Sequence, residues 1–236
     1  MTAPQRQTDE PLFPNVLWGR PTSRLAGGRL LVLGGNKDQF SAPVALANAA
    51  LAAGAGEVKI VLPASLEKLI PVSEDIAYVP STPSGSLSKL ALAHIMELAR
   101  EADVLALAGN FSANSETTIL IESILEQISQ PIVVTSEIIS LLKIRPYFLG
   151  RNGDLLVLDM TSMISLANTK HLGIYVGGGQ GVARDVSIVD NLAQQLEADL
   201  VVLANGMLVA AQSQLSLTAL PGRIGKLSAP AAGVLA

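Results

Sequence analysis

Three loops of this chain combine residue types that suit the binding of a small, oxygen-rich ligand. In Gly34-Gly35-Asn36-Lys37 two residues without side chains allow close backbone approach, while an amide and an ammonium can donate hydrogen bonds. A helix predicted from Ser41 begins just beyond it, and a helix N-terminus favours an anion. The same pattern also serves as an ordinary strand-to-helix turn. Asn110, in Gly109-Asn110-Phe111-Ser112, and Asn205-Gly206 follow other predicted strands and offer further amide and backbone donors. Residues 177–181 (GGGQG) also precede a helix, but they keep neither the G-x-G-x-x-G nor the G-x-x-x-x-G-K-[ST] spacing of a phosphate loop. Among titratable groups, Glu137 directly after a predicted strand and Asp159 at a strand end are the best placed for acid–base work. An acid matched to a helix dipole explains either position as well. His94 and His171 stand apart from any acid or hydroxyl pattern and read as surface or boundary residues.

Composition removes much other chemistry. The 236 residues include no Cys, which excludes disulfides, thiol nucleophiles and thiolate metal sites, and two His leave no multi-histidine centre. With 16 Lys+Arg against 20 Asp+Glu and a net charge of −4, no chain-wide field favours nucleic acid or an anionic membrane. A small molecule or another protein is the expected partner. Hydrophobic residues make up 49% and charged residues 15%, so uncharged surface or a subunit interface is expected, and with it a homo-oligomer. Asn48, Gly54, Asn205 and Gln212 interrupt the most apolar runs before they reach the roughly 20 residues a membrane helix needs. Residues 1–14 are polar and Pro-rich, without the pattern of a secretory signal, and read as an arm of a cytoplasmic protein.

The elements that must position these loops alternate between apolar β-rich runs and helical patterns, the signature of a parallel α/β sheet with helices on its faces. Strands are predicted at 29–34, 58–62, 75–79, 103–108, 131–135, 154–158, 172–176 and 199–204. Helices are predicted from Ser41, taken as the cap, to Ala53 with Gly54 closing the end, and at 65–69, 88–100, 115–127, 137–142 and 186–196. In the helix at 88–100, Leu90, Ala93, Ile95 and Leu98 form the expected buried face. Residues 207–211 and 215–220 predict an antiparallel hairpin at one edge. No break in composition divides the chain, so an arm over 1–27 and one domain over 28–236 are expected.

The segment 28–63, GRLLVLGGNKDQFSAPVALANAALAAGAGEVKIVLP, resembles the ADP- or ATP-dependent NAD(P)H-hydrate dehydratases of the ribokinase-like superfamily. That family shows a G-R-x-L-V-I-G-G-S strand and turn, a Gly-Ala-Pro helix start, A-A-L-x-A-G-A-G, and a strand ending in Pro. Fainter likeness continues through Arg24 (where the family has the Lys of S-H-K-G), 103–112, 133–142, 201–210 and 228–236. The resemblance implies a three-layer α/β/α sandwich with a mostly parallel central sheet and an antiparallel edge hairpin. It also implies a tetramer, ATP or ADP with Mg²⁺, and NAD(P)H hydrate as substrate.

The residues of that chemistry are replaced. On alignment, the Asp of G-S-G-D falls on Gly233, the two Asp of D-A-D on Thr135 and Glu137, the Lys of V-V-L-K-G on Ala204, and the anion-hole glycines on Pro230 and Ala232. Loss of a general base alone costs roughly 10²–10⁴-fold. The family also continues past the segment that ends here at Ala236, so the C-terminal part of its fold is expected to be missing. The leading expectation is a protein of this kind that retains nucleotide binding around Gly34, Gly35, Asn36, Lys37, Ser41, Asn110, Asn205 and Gly206 with an impaired phosphoryl-transfer and dehydration site. The alternatives are an active enzyme in which Glu137, Asp159 and Lys37 substitute for the lost groups, and a non-catalytic structural or interaction subunit.

Overall fold

A computed structural model describes residues 5–6, 18–142, 153–168, 182–196, 198–204, 207–212 and 215–219. The chain divides into two compact units, one built on Pro21–Leu141 and the other on Met1–Arg20 with Leu142–Leu227. A two-residue strand, β1 (Gln5–Arg6), belongs to the second.

In the first unit the strands are β2 (Arg29–Gly34), β3 (Glu57–Pro63), β4 (Ile76–Val79), β5 (Val104–Ala108) and β6 (Ile132–Thr135). All pair in parallel, in the order β6-β5-β2-β3-β4. β2 is buried from Leu30 to Gly34, as an uninterrupted apolar strand must be when both faces are covered. Helix α1 (Ser41–Ala53) links β2 to β3, α2 (Leu92–Glu101) precedes β5, and α3 (Ser115–Gln127) links β5 to β6. Parallel crossovers are right-handed, so the step from β2 to β3 and the opposite steps to β5 and β6 put α1 on one face and α2 and α3 on the other. The short α4 (Ser136–Leu142) follows β6 directly.

Two expectations about these helices are corrected. Ser41 does not cap α1: Phe40 occupies the cap with non-helical backbone, no side chain bonds to the first turn, and Ser41 is the first helical residue. The preceding turn is already closed by reciprocal backbone bonds between Asn36 and Gln39, which bring the chain into the helix before a Ser41 hydroxyl could cap it. The buried residues of α2 are Ile95 and Ala99, with buried Ala91 just before it, while Ala93 is exposed, Leu98 is only partly buried and Leu90 is 74% exposed. Residues Lys89–Ala91 form a 3₁₀ turn, whose three residues per turn shift the phase of the face that follows. At the other end of α1, Gly54 takes φ 112°; its N–H reaches Leu51 O while that of Ala55 reaches Ala50 O, the paired bonds of a Schellman close.

In the second unit, β7 (Leu155–Asp159) and β8 (Asp199–Ala204) are parallel, and β8, β9 (Met207–Gln212) and β10 (Leu215–Ala219) run antiparallel. The expected hairpin is β9–β10; β1 adds a parallel partner on its outer side, too short to read from the Pro-rich arm. Helices α5 (Met160–Ala167) and α6 (Val182–Leu196) complete the unit, α6 packing on β8, β9 and β10. The strand predicted at 172–176 and the loop 177–181 lie outside the described residues.

Among the described glycines, the tightest backbone approach is at the carboxyl ends of β2 and β5. A Cβ on Gly34 would lie 1.8 Å from the Ala108 carbonyl oxygen. Gly34→Ala is therefore expected to lower stability by about 3 kcal/mol or more, read as a reduced denaturant midpoint with an unchanged slope. A loss below about 1 kcal/mol would show that the two strand ends separate freely.

Candidate functional site

In an open parallel sheet the natural crevice lies beyond the strand carboxyl ends, where neighbouring strands send their connections in opposite directions. In the first unit that point falls between β2, which continues to β3, and β5, which continues to β6 on the other side. The loops flanking it are 34–40 and 109–114, and a third, 80–88 after β4, meets both.

A network of amides and hydroxyls ties these loops together. Asn36, 4% exposed, accepts the backbone N–H groups of Asp38 and Gln39 at 2.9 and 3.0 Å on Oδ1 and donates from Nδ2 to Asn110 O at 3.0 Å. Exposed Asn110 accepts the Ser112 N–H on Oδ1 at 2.7 Å and donates to Gln39 Oε1 at 2.8 Å. Gly35 and Gly109 adopt φ 80° and 82°, and Ser112, without the freedom of glycine, is held at φ 63°. Its hydroxyl accepts from the fully buried Ser86 at 2.8 Å. Within the third loop, Ser84 shares a hydrogen bond with Thr82 and accepts from Asn114 Nδ2 at 3.0 Å. The Lys37 N–H donates to Gly85 O at 2.9 Å, and the Lys37 stem lies against Gly85 so closely that a Cβ there would meet it at 2.5 Å.

An acid clamps the back of this arrangement. Glu116, in the first turn of α3, accepts the Ser88 hydroxyl at 2.6 Å and the Lys89 N–H at 3.2 Å, while Asn114 caps α3 by accepting the Glu116 N–H. The Ser88 hydrogen bond, reinforced by Lys89, holds the Glu116 carboxyl below its ordinary range. Its contribution is complete above the unfolded carboxyl pKa and disappears as pH falls through the lower folded value.

Of the residues expected to bind a ligand, Gly34, Gly35, Asn36, Lys37 and Asn110 converge at this crevice, and Ser41 starts the helix above it. Asn205, Gly206, Gly233 and His171 lie outside the described residues. Glu137 is exposed in the first turn of α4. Asp159 is the N-cap of α5, accepting the Ser162 N–H at 2.7 Å, the role its alternative reading gave it. Thr135 is buried, and its hydroxyl donates to Leu107 O across the β5–β6 pair. The STPSGSLS stretch of the third loop and Gln39 were not singled out from sequence. Hydroxyls alternating with Pro and Gly look like any polar turn, and only the fold brings them to the crevice. A groove of about 520 Å³ lined by Pro21, Ser23, Arg24, Leu51 and Gly54 lies instead at the far end of α1.

No protein-family model matches the chain. Over 118 residues it is 32% identical to the bifunctional NAD(P)H-hydrate repair enzyme Nnr of Moorella thermoacetica, a match covering 49% of this chain and 22% of that protein. The enzyme of the same name from Methanothermobacter thermautotrophicus is 30% identical over the same length, covering 23% of its chain. The match thus spans under a quarter of these relatives. A ribokinase-like superfamily protein from Enterococcus faecalis superposes with TM-score 0.73 over 100% of this chain and 80% of its own, at 14% identity. The fold is ribokinase-like. An ADP/ATP-dependent NAD(P)H-hydrate dehydratase from Bacillus subtilis, crystallised with ATP and Mg²⁺, superposes with TM-score 0.55 at 13% identity, over 90% of this chain and 72% of its own. The resemblance to NAD(P)H-hydrate repair enzymes noted in the sequence therefore recurs in both comparisons.

Two variants test the network. Asn36→Ala leaves Asn110 O and the Asp38 N–H without their partner and is expected to cost about 3 kcal/mol in chemical denaturation. Glu116→Gln is expected to flatten the acid limb of a stability-against-pH curve as pH falls from the ordinary carboxyl range through the lowered folded value. An unchanged limb would remove Glu116 from the clamp.

Proposed function

We propose that this chain is a ribokinase-fold protein of the NAD(P)H-hydrate dehydratase kind that binds a nucleotide at the β2–β5 crevice, with its phosphoryl-transfer and dehydration chemistry impaired. The observation that carries the reading is the make-up of the crevice: Asn36, Gln39, Asn110, Ser86 and Ser112 are amides and hydroxyls, groups that hold a ligand but neither take up nor release a proton near neutral pH. Two acids that could substitute as bases support it further, because Asp159 is engaged in capping α5 and Glu137 stands exposed at the start of α4. Gly233, where the family resemblance expects the Asp that acts on the substrate hydroxyl, has no proton to move. ATP or ADP with Mg²⁺, and NADH or NADPH hydrate, are the ligands this reading names. Glu137 and Thr135 occupy the D-A-D positions in that alignment, a replacement of one carboxylate by a hydroxyl that weakens any divalent-cation site there.

The test is a thermal-shift titration of the full chain with ATP, ADP, NADH and NADPH, each with and without Mg²⁺, beside an assay of hydrated NADH at 340 nm. A ligand at about 100 times its Kd adds about 2.7 kcal/mol, a rise of about 5–10 °C for a domain of this size. A nucleotide-dependent rise without NADH formation is the expected result. Nucleotide-dependent repair at the rate of an intact dehydratase, lost in Glu137→Gln, would overturn the impairment, and the absence of any shift would overturn the binding.

A further inference from the structure

We propose that Lys37, Gln39 and Asn110 form a donor rim that takes a phosphoryl group of the bound nucleotide, an inference that rests on the binding reading above. The geometry that points to it is the way the buried network consumes acceptors. Asn36 Oδ1 receives two backbone N–H groups, so its amide orientation is set and Nδ2 faces Asn110 O. Asn110 Oδ1 receives the Ser112 N–H, which turns its Nδ2 outward to Gln39 Oε1. Gln39 thereby spends its side-chain acceptor on Asn110 and keeps both Nε2 hydrogens at an exposed position, with no hydrogen-bond partner among the described residues. One Asn110 Nδ2 hydrogen likewise has no acceptor among the described residues.

Lys37 adds a cation to the same turn. Its stem is braced on Gly85, and its exposed ammonium has no carboxylate within ion-pair distance among the described residues. Two amides that look neutral and ambivalent in the sequence thus keep unclaimed N–H groups among the described residues, at loops that also carry the Lys37 ammonium. A single carbonyl could occupy only part of such a rim, whereas a phosphoryl group brings several acceptor oxygens and a negative charge. Asp38 is the opposing term, an exposed carboxylate between Lys37 and Gln39 in the chain. It leaves the turn with no net charge, so selection rests on the directed donors, and its removal should strengthen binding.

Calorimetric titration of the full chain with ADP and with adenosine tests this. ADP is expected to bind at least about tenfold more tightly than adenosine. Gln39→Glu keeps the acceptor for Asn110 and replaces the outward donor by a carboxylate oxygen; it should weaken ADP about tenfold and leave adenosine unchanged. Lys37→Gln should weaken ADP and reduce its salt dependence, and Asp38→Asn should tighten it about threefold. All three side chains are exposed, so melting temperatures are expected to stay within a few degrees, and each is measured beside the titration. Equal affinity of the wild type for ADP and adenosine, or an unchanged ADP affinity in Gln39→Glu, would overturn the rim while leaving nucleotide binding in place. Failure of ADP, adenosine and NADPH alike to bind the wild type would overturn both.

Discussion

The close approach of β2 to β5 at their carboxyl ends governs the rest of the site. Gly34 and Ala108 are register partners, and the space between them holds a backbone but no Cβ. Two loops that must leave these strands in opposite directions therefore start in contact. Neither can relax independently, which is why the positive-φ residues Gly35 and Gly109 stand immediately after the contact point. With the loop bases pinned, one buried amide, Asn36, reaches both: it closes its own turn and bonds to the backbone of the other. Interior polar groups are costly when unpaired, so Asn36, whose oxygen accepts twice and whose amide donates across the crevice, specifies one loop arrangement over its alternatives.

Legibility in the sequence followed how local the determining interaction is. The limits of β2, α3 and β8 agree with their predicted spans, because a buried apolar run, a side chain at the Asn114 cap and a flanking turn all act within a few residues. The ends of β3, β5 and β7 moved by a residue, as strand ends do when a neighbour decides where pairing stops. The face of α2 was misread for a definite cause: a 3₁₀ turn at Lys89–Ala91 carries no distinctive residue type, yet it rotates everything after it. Ser41 looked like a cap because hydroxyls usually cap, whereas the turn before it had been closed by Asn36 and Gln39.

The site divided along the same line. Gly34-Gly35-Asn36-Lys37 announced itself, since glycines beside polar donors after an apolar strand form a recognisable local pattern. The loop 80–88 did not. Its contribution depends on Ser86 meeting Ser112 and on Ser84 meeting Asn114, contacts across 26 and 30 residues that no spacing within the loop reveals. Gln39 likewise gains its role only from Asn110, 71 residues away.

Binding and chemistry make different demands on such a crevice, and the difference explains how one can persist without the other. A bound nucleotide needs donors of fixed direction, which the backbone turns and the pinned amides supply through the fold itself; removing them costs stability. A general base needs an ionisable group free of structural duty, with its pKa shifted toward the working pH. Asp159 caps a helix and Glu116 clamps two turns, its carboxyl shifted downward and away from neutrality. Under the proposed function, selection for folding retains buried Asn36 and the turns it closes, whereas a base is retained only while its reaction matters. In the proposed reading, Gly233 and Thr135 stand where the resemblance expects acids, so proton transfer is lost while the amide-lined crevice remains.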